Sequence, residues 1–417
     1  MRVLLSAYAC EPATGSEPGV GWHWATELAR LGHEVSVITR SNNRDAIDKA
    51  MADAPIAGLQ FHYYDLPSWG RWWKRGSRGI DLYYWLWQHG AYRLAKRLTD
   101  KTQFDLVHHV TFGMYRQPSY MGRLGLPFAV GPLGGGEMTP VLLRSGFPAR
   151  NRLKEKMREA SNRLACWNPS VRAMFRQATV ILCKTPETLA IVPAECRKKS
   201  RVVVEIGLEA ESIRQETAAQ NAGANFLYAG RLVYWKGLHL ALKALFELRR
   251  ERPDATLTVI GAGRDEARLK KLSATLRLQD SVRWLGAIPH EEMRAHYSSY
   301  TAFVFPSLHD SSGNVLLEAL SQGLPAICLD TGGPGAIVSR ACGIKIPVEK
   351  RNEKEVIADL AAAMQELAGK RELRAEMGRC ALEAARASTW RNVVSSAYAY
   401  IEEVLNASGK SAMDRMA

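Results

Sequence analysis

The amino-acid sequence predicts an α/β protein made of two doubly wound, parallel-sheet domains. Three observations carry that expectation. Short apolar runs alternate with helical patterns along the whole chain, glycine-containing turns punctuate the junctions, and 417 residues exceed what one compact core usually holds. Hydrophobic residues make up 47% and charged residues 24%, the balance of an ordinary globular protein, not of a disordered or fibrous one.

In the first half, apolar runs place strands at 2–8, 34–39, 59–64, 104–110, 127–130, 178–183 and 201–205. Helical periodicity lies between most of them, as from Val20 to Arg30. Strands this uniformly apolar suit a parallel sheet covered on both faces. The opening run, MRVLLSAYAC, reads as the first such strand and not as a secretion signal, because Glu11 and Pro12 end it at once. A polar stretch from Glu209 to Gly223 separates the halves. Beyond it, strands at 225–229, 255–260, 281–285, 302–305, 325–328 and 343–346 alternate with helices, notably Lys236–Arg250 and Asn314–Gln322. From Val356 onward the pattern is almost entirely helical. The expected divisions are 1–208, 209–388 and a helical segment, 389–417.

No apolar run approaches the roughly 20 residues that span a bilayer. The seven cysteines (Cys10, Cys166, Cys183, Cys196, Cys328, Cys342 and Cys380) form no C-x-x-C pair, which argues against a disulfide framework or zinc site and fits a reducing cytoplasm. A net charge of +14 implies an anionic partner. No zinc-finger, bZIP or RRM signature points to nucleic acid, so phosphorylated ligands and anionic lipid remain.

In open α/β sheets, ligands bind beyond the carboxyl ends of the strands, where helix N-termini point. Two loops of the second half meet that rule. Gly230-Arg231 ends a strand and Lys236-Gly237 opens a helix, placing two cations where a diphosphate fits. Downstream, His309-Asp310-Ser311-Ser312-Gly313-Asn314 leads into a helix whose first amides are open to an anion, and Glu318 follows eight residues after Asp310. Surface cations in an ordinary loop and a helix cap at Asp310 or Ser311 are the plainer explanations.

With Gly323-Leu324-Pro325 and Gly332-Gly333 following in order, the chain resembles family 4 of the retaining glycosyltransferases, which have the GT-B fold: two Rossmann-like domains facing across a cleft, with a C-terminal helix crossing back to the first domain. That resemblance implies that Arg231 and Lys236 hold the donor diphosphate, that Glu318 contacts the nucleotide ribose, and that Asp310 stands near the transferring sugar, where the family usually has glutamate. It implies Ser311, Ser312, Gly313 and Asn314 at the donor, and retention of anomeric configuration. The segment from Trp390 to Leu405 is similar to the family's crossing helix.

The first half is expected to supply the opposite wall. The turn Gly15-Ser16-Glu17-Pro18-Gly19-Val20-Gly21 places amides, with Gly19 and Gly21, at a helix N-terminus. The strand ending Asp105-Leu106-Val107-His108-His109 matches the first histidine of the family's D-x-x-H-x-H, but Val110 takes the second position, so His108 and His109 are both candidates for the catalytic histidine. Gly135, Gly136 and Glu137 are candidate acceptor contacts. The absence of Asp-x-Asp argues for metal-free chemistry without a cofactor, in which cations and helix termini meet the charge on the leaving group.

Acceptor preference is expected in the first half. Trp69, Trp72, Trp73, Trp85 and Trp87 are interleaved with Arg71, Lys74, Arg75 and Arg78, and the segment Arg144 to Arg176 is strongly basic. Both suit a protein resting on anionic lipid at the inner face of a plasma membrane, handling a glycan, a lipid-linked saccharide or lipopolysaccharide. Solvated charge and core tryptophans are the plainer readings. Gly261-Ala262-Gly263 lacks the third glycine of a dinucleotide fingerprint, because Glu266 stands there. A sugar-nucleotide epimerase, a phosphorylase or a non-catalytic scaffold remain as alternatives on this architecture.

Overall fold

The computed structural model describes residues 1–70, 76, 78–216, 223–297 and 299–413. It divides into two compact units, Met1–Gly136 with Ser161–Ile206 and Trp390–Ala417, and Glu137–Ala160 with Gly207–Thr389.

In chain order the first half contains β1 (Arg2–Ser6), α1 (Ser16–Arg30), β2 (Glu34–Arg40), α2 (Arg44–Asp53), β3 (Leu59–Tyr64), α3 (Ile80–Thr99), β4 (Leu106–His109) and β5 (Phe128–Leu133). Then come α4 (Ala149–Ala165), α5 (Pro169–Gln177), β6 (Val180–Cys183), α6 (Pro186–Ile191) and β7 (Ser200–Val202). The seven strands form one sheet in the order β3-β2-β1-β4-β5-β6-β7, parallel throughout. Its centre is apolar on both faces: Val3, Leu4, Leu5, Val107, Val130 and Ile181 are fully buried.

The second half follows with β8 (Asn225–Ala229), α7 (Leu238–Leu248), β9 (Thr256–Ile260), α8 (Glu266–Thr275), β10 (Val282–Gly286), α9 (His290–Tyr297) and β11 (Ala302–Phe305). It continues with α10 (Asn314–Ser321), β12 (Ala326–Leu329), α11 (Gly332–Ile337), β13 (Gly343–Ile346), α12 (Glu353–Gly369) and α13 (Arg371–Ala387). Its six strands pair in parallel as β10-β9-β8-β11-β12-β13. The last helix, α14 (Trp390–Met413), belongs to the first unit. There Trp390 stacks on His23 at 4.4 Å between ring centroids.

All thirteen expected strands are present, and both sheets are doubly wound. One expectation is corrected. Glu137–Ala160 was placed with 1–208, yet it groups with the second unit. The cause is side-chain burial: Leu143 and Phe147 enter that unit's core, and the Phe147 ring meets Tyr234 edge-on at 4.9 Å. Helix α1 also starts at Ser16, earlier than the expected Val20.

Candidate functional site

In the second sheet the strand order reverses between β8 and β11, the place where the fold leaves a crevice at the strand ends. The two loops departing there are bound to each other. The Leu308 N–H donates to the Trp235 carbonyl at 2.8 Å. Gly237 adopts φ +72°, and a Cβ on it would lie 1.7 Å from the Pro306 carbonyl oxygen, so only glycine permits this approach. The loop after β12 joins them. The Gly333 N–H donates to the Asp310 carbonyl at 2.7 Å, and a Cβ there would strike the Ser312 carbonyl at 2.1 Å. Gly261, read from the sequence as half of a weak fingerprint, instead lets the loop after β9 lie against the Gly230 carbonyl.

This backbone packing brings Lys236 to Asp310. Their side chains form an ion pair, and both are mostly buried, with 13% and 16% of the side chain exposed. The Lys236 ammonium also sits 4.9 Å over the Phe305 ring. Ser311, Ser312 and Gly313 follow Asp310 directly and lead into α10, with Asn314 as its first residue. Arg231 lies in the same loop as Lys236, with its side chain exposed. Glu318, on α10, accepts a hydrogen bond from the Tyr297 hydroxyl at 3.0 Å. The expected cations and Asp310 therefore belong to one group of loops, with Lys236 and Asp310 in direct contact.

Sequence reasoning missed the side chains that hold this pair. His309 is buried, its Nδ1 hydrogen-bonds with the Thr139 hydroxyl at 2.8 Å, and its ring stacks on Trp235 at 5.5 Å. Burial, followed by the positive charges of Arg158, Lys236 and Arg144, pushes its pKa down to about 3. The neighbouring Glu155 carboxylate, 3.7 Å away, thus faces a neutral imidazole, and the contact is not an ion pair. Glu155 itself accepts from the Tyr234 hydroxyl at 2.8 Å. Position gave a usable signal: Trp235 and His309 immediately precede Lys236 and Asp310.

The first unit treats its candidates differently. His108 and His109 are both buried, on opposite faces of β4, with both ring nitrogens of each engaged. His108 Nε2 lies 2.9 Å from the Gly131 carbonyl, which only accepts, so Nε2 carries the proton and Nδ1 accepts from the Tyr398 hydroxyl at 3.1 Å. His109 hydrogen-bonds with Tyr84 at 2.9 Å and Ser6 at 3.1 Å. Burial pushes His108 down to about 4 and His109 to about 3. Both candidate histidines are thus buried, hydrogen-bonded through both ring nitrogens and held toward the neutral form by desolvation.

Gly19 and Gly21 lie in the N-terminal part of α1. Cβ atoms there would meet the Thr14 carbonyl at 2.1 Å and the Ala9 carbonyl at 2.0 Å, so these glycines admit the chain's own preceding loop. Gly135 and Gly136 are buried too: the Gly136 N–H donates to the Thr188 hydroxyl at 3.1 Å, and the Gly135 carbonyl accepts from Asn162 at 3.1 Å. Glu137 falls in the other unit and is buried. A Cβ on Gly136 would lie 2.6 Å from the Thr188 Cα, so that glycine admits α6, whereas Gly135 has room and is distinguished by its φ of +99°. Of the tryptophans, Trp87 is core, Trp85 is half-exposed and donates to Tyr120 at 2.9 Å, and Trp69 is exposed. Trp72 and Trp73, with Arg71, Lys74 and Arg75, lie outside the described residues. Among the described residues, no helix is long and apolar enough to cross a membrane.

Two parallel, doubly wound sheets with a helical C-terminus define the GT-B class, and solved structures of that class share the fold. Sucrose-phosphate synthase from Thermosynechococcus elongatus superposes with a TM-score of 0.65 at 17% identity, covering 97% of this chain and 99% of that one. Anabaena HepE, solved in complex with UDP and glucose, gives 0.57 at 14% identity, covering 96% and 98%. Residues 209–384 match the family model of glycosyl transferases group 1. Among curated relatives, a Mycobacterium tuberculosis glycogen synthase is 35% identical over 143 residues, 34% of this chain. The match spans about a third of that relative's length, 33%.

Proposed function

We propose that the chain is a glycosyltransferase that moves a sugar from a nucleotide-diphosphate donor to a glycan or lipid-linked saccharide, with retention of anomeric configuration, in bacterial cell-surface polysaccharide synthesis. The observation that carries this reading is the Lys236–Asp310 pair beside Ser311–Gly313 at the switch point of a group 1 region. Lys236 is held mostly out of water, where its charge acts on a departing diphosphate far more strongly than at an exposed site. Arg231 adds a second, planar cation for the same phosphates. Asp310 holds the Lys236 ammonium in position until donor arrives, and then faces the sugar. Glu318, fixed by Tyr297, receives a ribose hydroxyl.

In this reading the leaving phosphate takes the acceptor's proton on the front face of the sugar, a route that calls on no side-chain base. Without an Asp-x-Asp carboxylate pair, the reaction needs no metal, and EDTA leaves turnover unchanged. The cytoplasmic face of a membrane is the proposed workplace. A thermal-shift panel of UDP-, GDP-, ADP- and dTDP-sugars tests the assignment, because a ligand that binds only the native state raises its melting temperature. No shift with any of the four, or donor conversion that needs no acceptor, sinks it; the latter result indicates an epimerase.

A further inference from the structure

Helix α4 is inverted. Its inward side is polar: Glu155 accepts from Tyr234, Arg158 donates to the Glu137 carbonyl at 3.1 Å, and Asn162 donates to Gly135. Its outward side is apolar. Leu153, Met157 and Leu164 are 58%, 64% and 71% exposed, and Trp167, just past the helix end, is 79% exposed. At about 100° per residue, Leu153, Met157, Ala160 and Leu164 fall within an arc of about 60°.

Apolar groups of this size are normally turned to a core, and burying one stabilises by about 1.5–3 kcal/mol. A stripe of them facing water marks a contact surface. Its borders identify the partner. At the same pitch, Arg150 and Lys154 flank the stripe on one side and Lys156 and Arg163 on the other. Every exposed charged side chain on the helix is positive, because Glu155 is buried and Glu159 is half-buried and paired with Arg144. A second copy would bring the same cations face to face, and a nucleic acid would leave the apolar stripe unmet. Anionic lipid satisfies both, with headgroups meeting the cations and acyl chains meeting the stripe.

We infer that the exposed face of α4, with Trp167, is a docking surface for an anionic bilayer. The inference deepens the proposed membrane workplace by naming the surface, and it is independent of the donor chemistry. The test is co-sedimentation of the full chain with phosphatidylcholine vesicles, with and without phosphatidylglycerol, at low ionic strength. Wild type pellets only with the anionic vesicles. The double variant Leu153→Asp, Met157→Asp loses at least about tenfold in binding. Lys154→Gln with Lys156→Gln loses several-fold, a difference that high salt erases. These side chains are exposed, so melting temperature and turnover of a soluble donor stay as in wild type, which separates loss of this surface from loss of the proposed activity. Wild type that stays in the supernatant overturns the inference, as does an acidic double variant that pellets like wild type. Sedimentation velocity showing a wild-type dimer that Leu153→Asp splits assigns the stripe to a second copy instead.

Discussion

The two sheets make the same junction twice and use it differently. In each, the first and fourth strands lie side by side where the strand order reverses: β1 with β4, and β8 with β11. In each, one charged side chain that follows the first strand reaches the loop after the fourth. In the first unit Glu17 accepts from the Phe112 N–H at 2.6 Å, and in the second Lys236 pairs with Asp310. The partners separate the two roles. Glu17 satisfies a backbone amide, a structural clasp, while the fourth strand's histidines are neutral and saturated. Lys236 instead pairs with a carboxylate side chain, Asp310, with both groups mostly buried. Topology supplies a crevice in both units, and the chemistry of the loop ends makes the second one positively charged at Lys236 and Arg231.

The largest expected effect breaks the second junction. Lys236→Ala should lower turnover by roughly 10²–10³-fold, as for removal of a preorganised charge-stabilising donor, in a protein that still folds but melts lower because Asp310 loses its partner. Steady-state kinetics beside a melting curve checks this, and near-wild-type turnover removes Lys236 from the mechanism. The reciprocal change in the first unit should act on stability. His108→Ala leaves the Gly131 carbonyl and Tyr398 hydroxyl unpaired around a cavity, at a cost of about 2–4 kcal/mol in denaturant unfolding. A cost well under 1 kcal/mol would contradict the core assignment.

Acid sharpens the contrast further. His108 and His109 have folded pKa values of about 4 and about 3, below their ordinary 6.5, so the unfolded chain binds protons that the native state refuses. Their contribution is intact above pH 6.5 and is lost as pH falls toward about 4, at roughly 1.4 kcal/mol per pH unit for each histidine. The slope of unfolding free energy against pH measures it, and replacing His109 by a neutral residue should reduce that slope. The smallest effect is expected from Glu17→Ala, about 1–2 kcal/mol from an amide left without its carboxylate, with turnover little changed. A large fall in turnover would show that the first junction also acts in catalysis.

Much of this was legible residue by residue. Strand positions follow from apolar runs, which parallel pairing between helix layers demands, and the cations at 231 and 236 could be placed at a strand end and a helix start by counting. Burial was harder to read. The strand pattern put His108 and His109 on opposite faces, yet only the packing of Tyr398 against one and Tyr84 against the other revealed that neither is open. The sequence could not show that the glycines at 19 and 21 lie against the protein's own preceding loop, because glycine admits any close neighbour.

Local periodicity was enough to determine two doubly wound sheets, a helical end and the loops that bear charge, because an apolar run or a 3.6-residue repeat is a property of neighbours in the chain. Tertiary structure alone decided what those faces meet. It paired Lys236 with Asp310, drew 137–160 into the second unit through Leu143 and Phe147, and turned the polar side of α4 inward. Each outcome rests on contacts between residues far apart in sequence, where a side chain's pattern says that it needs a partner but not which one it will find.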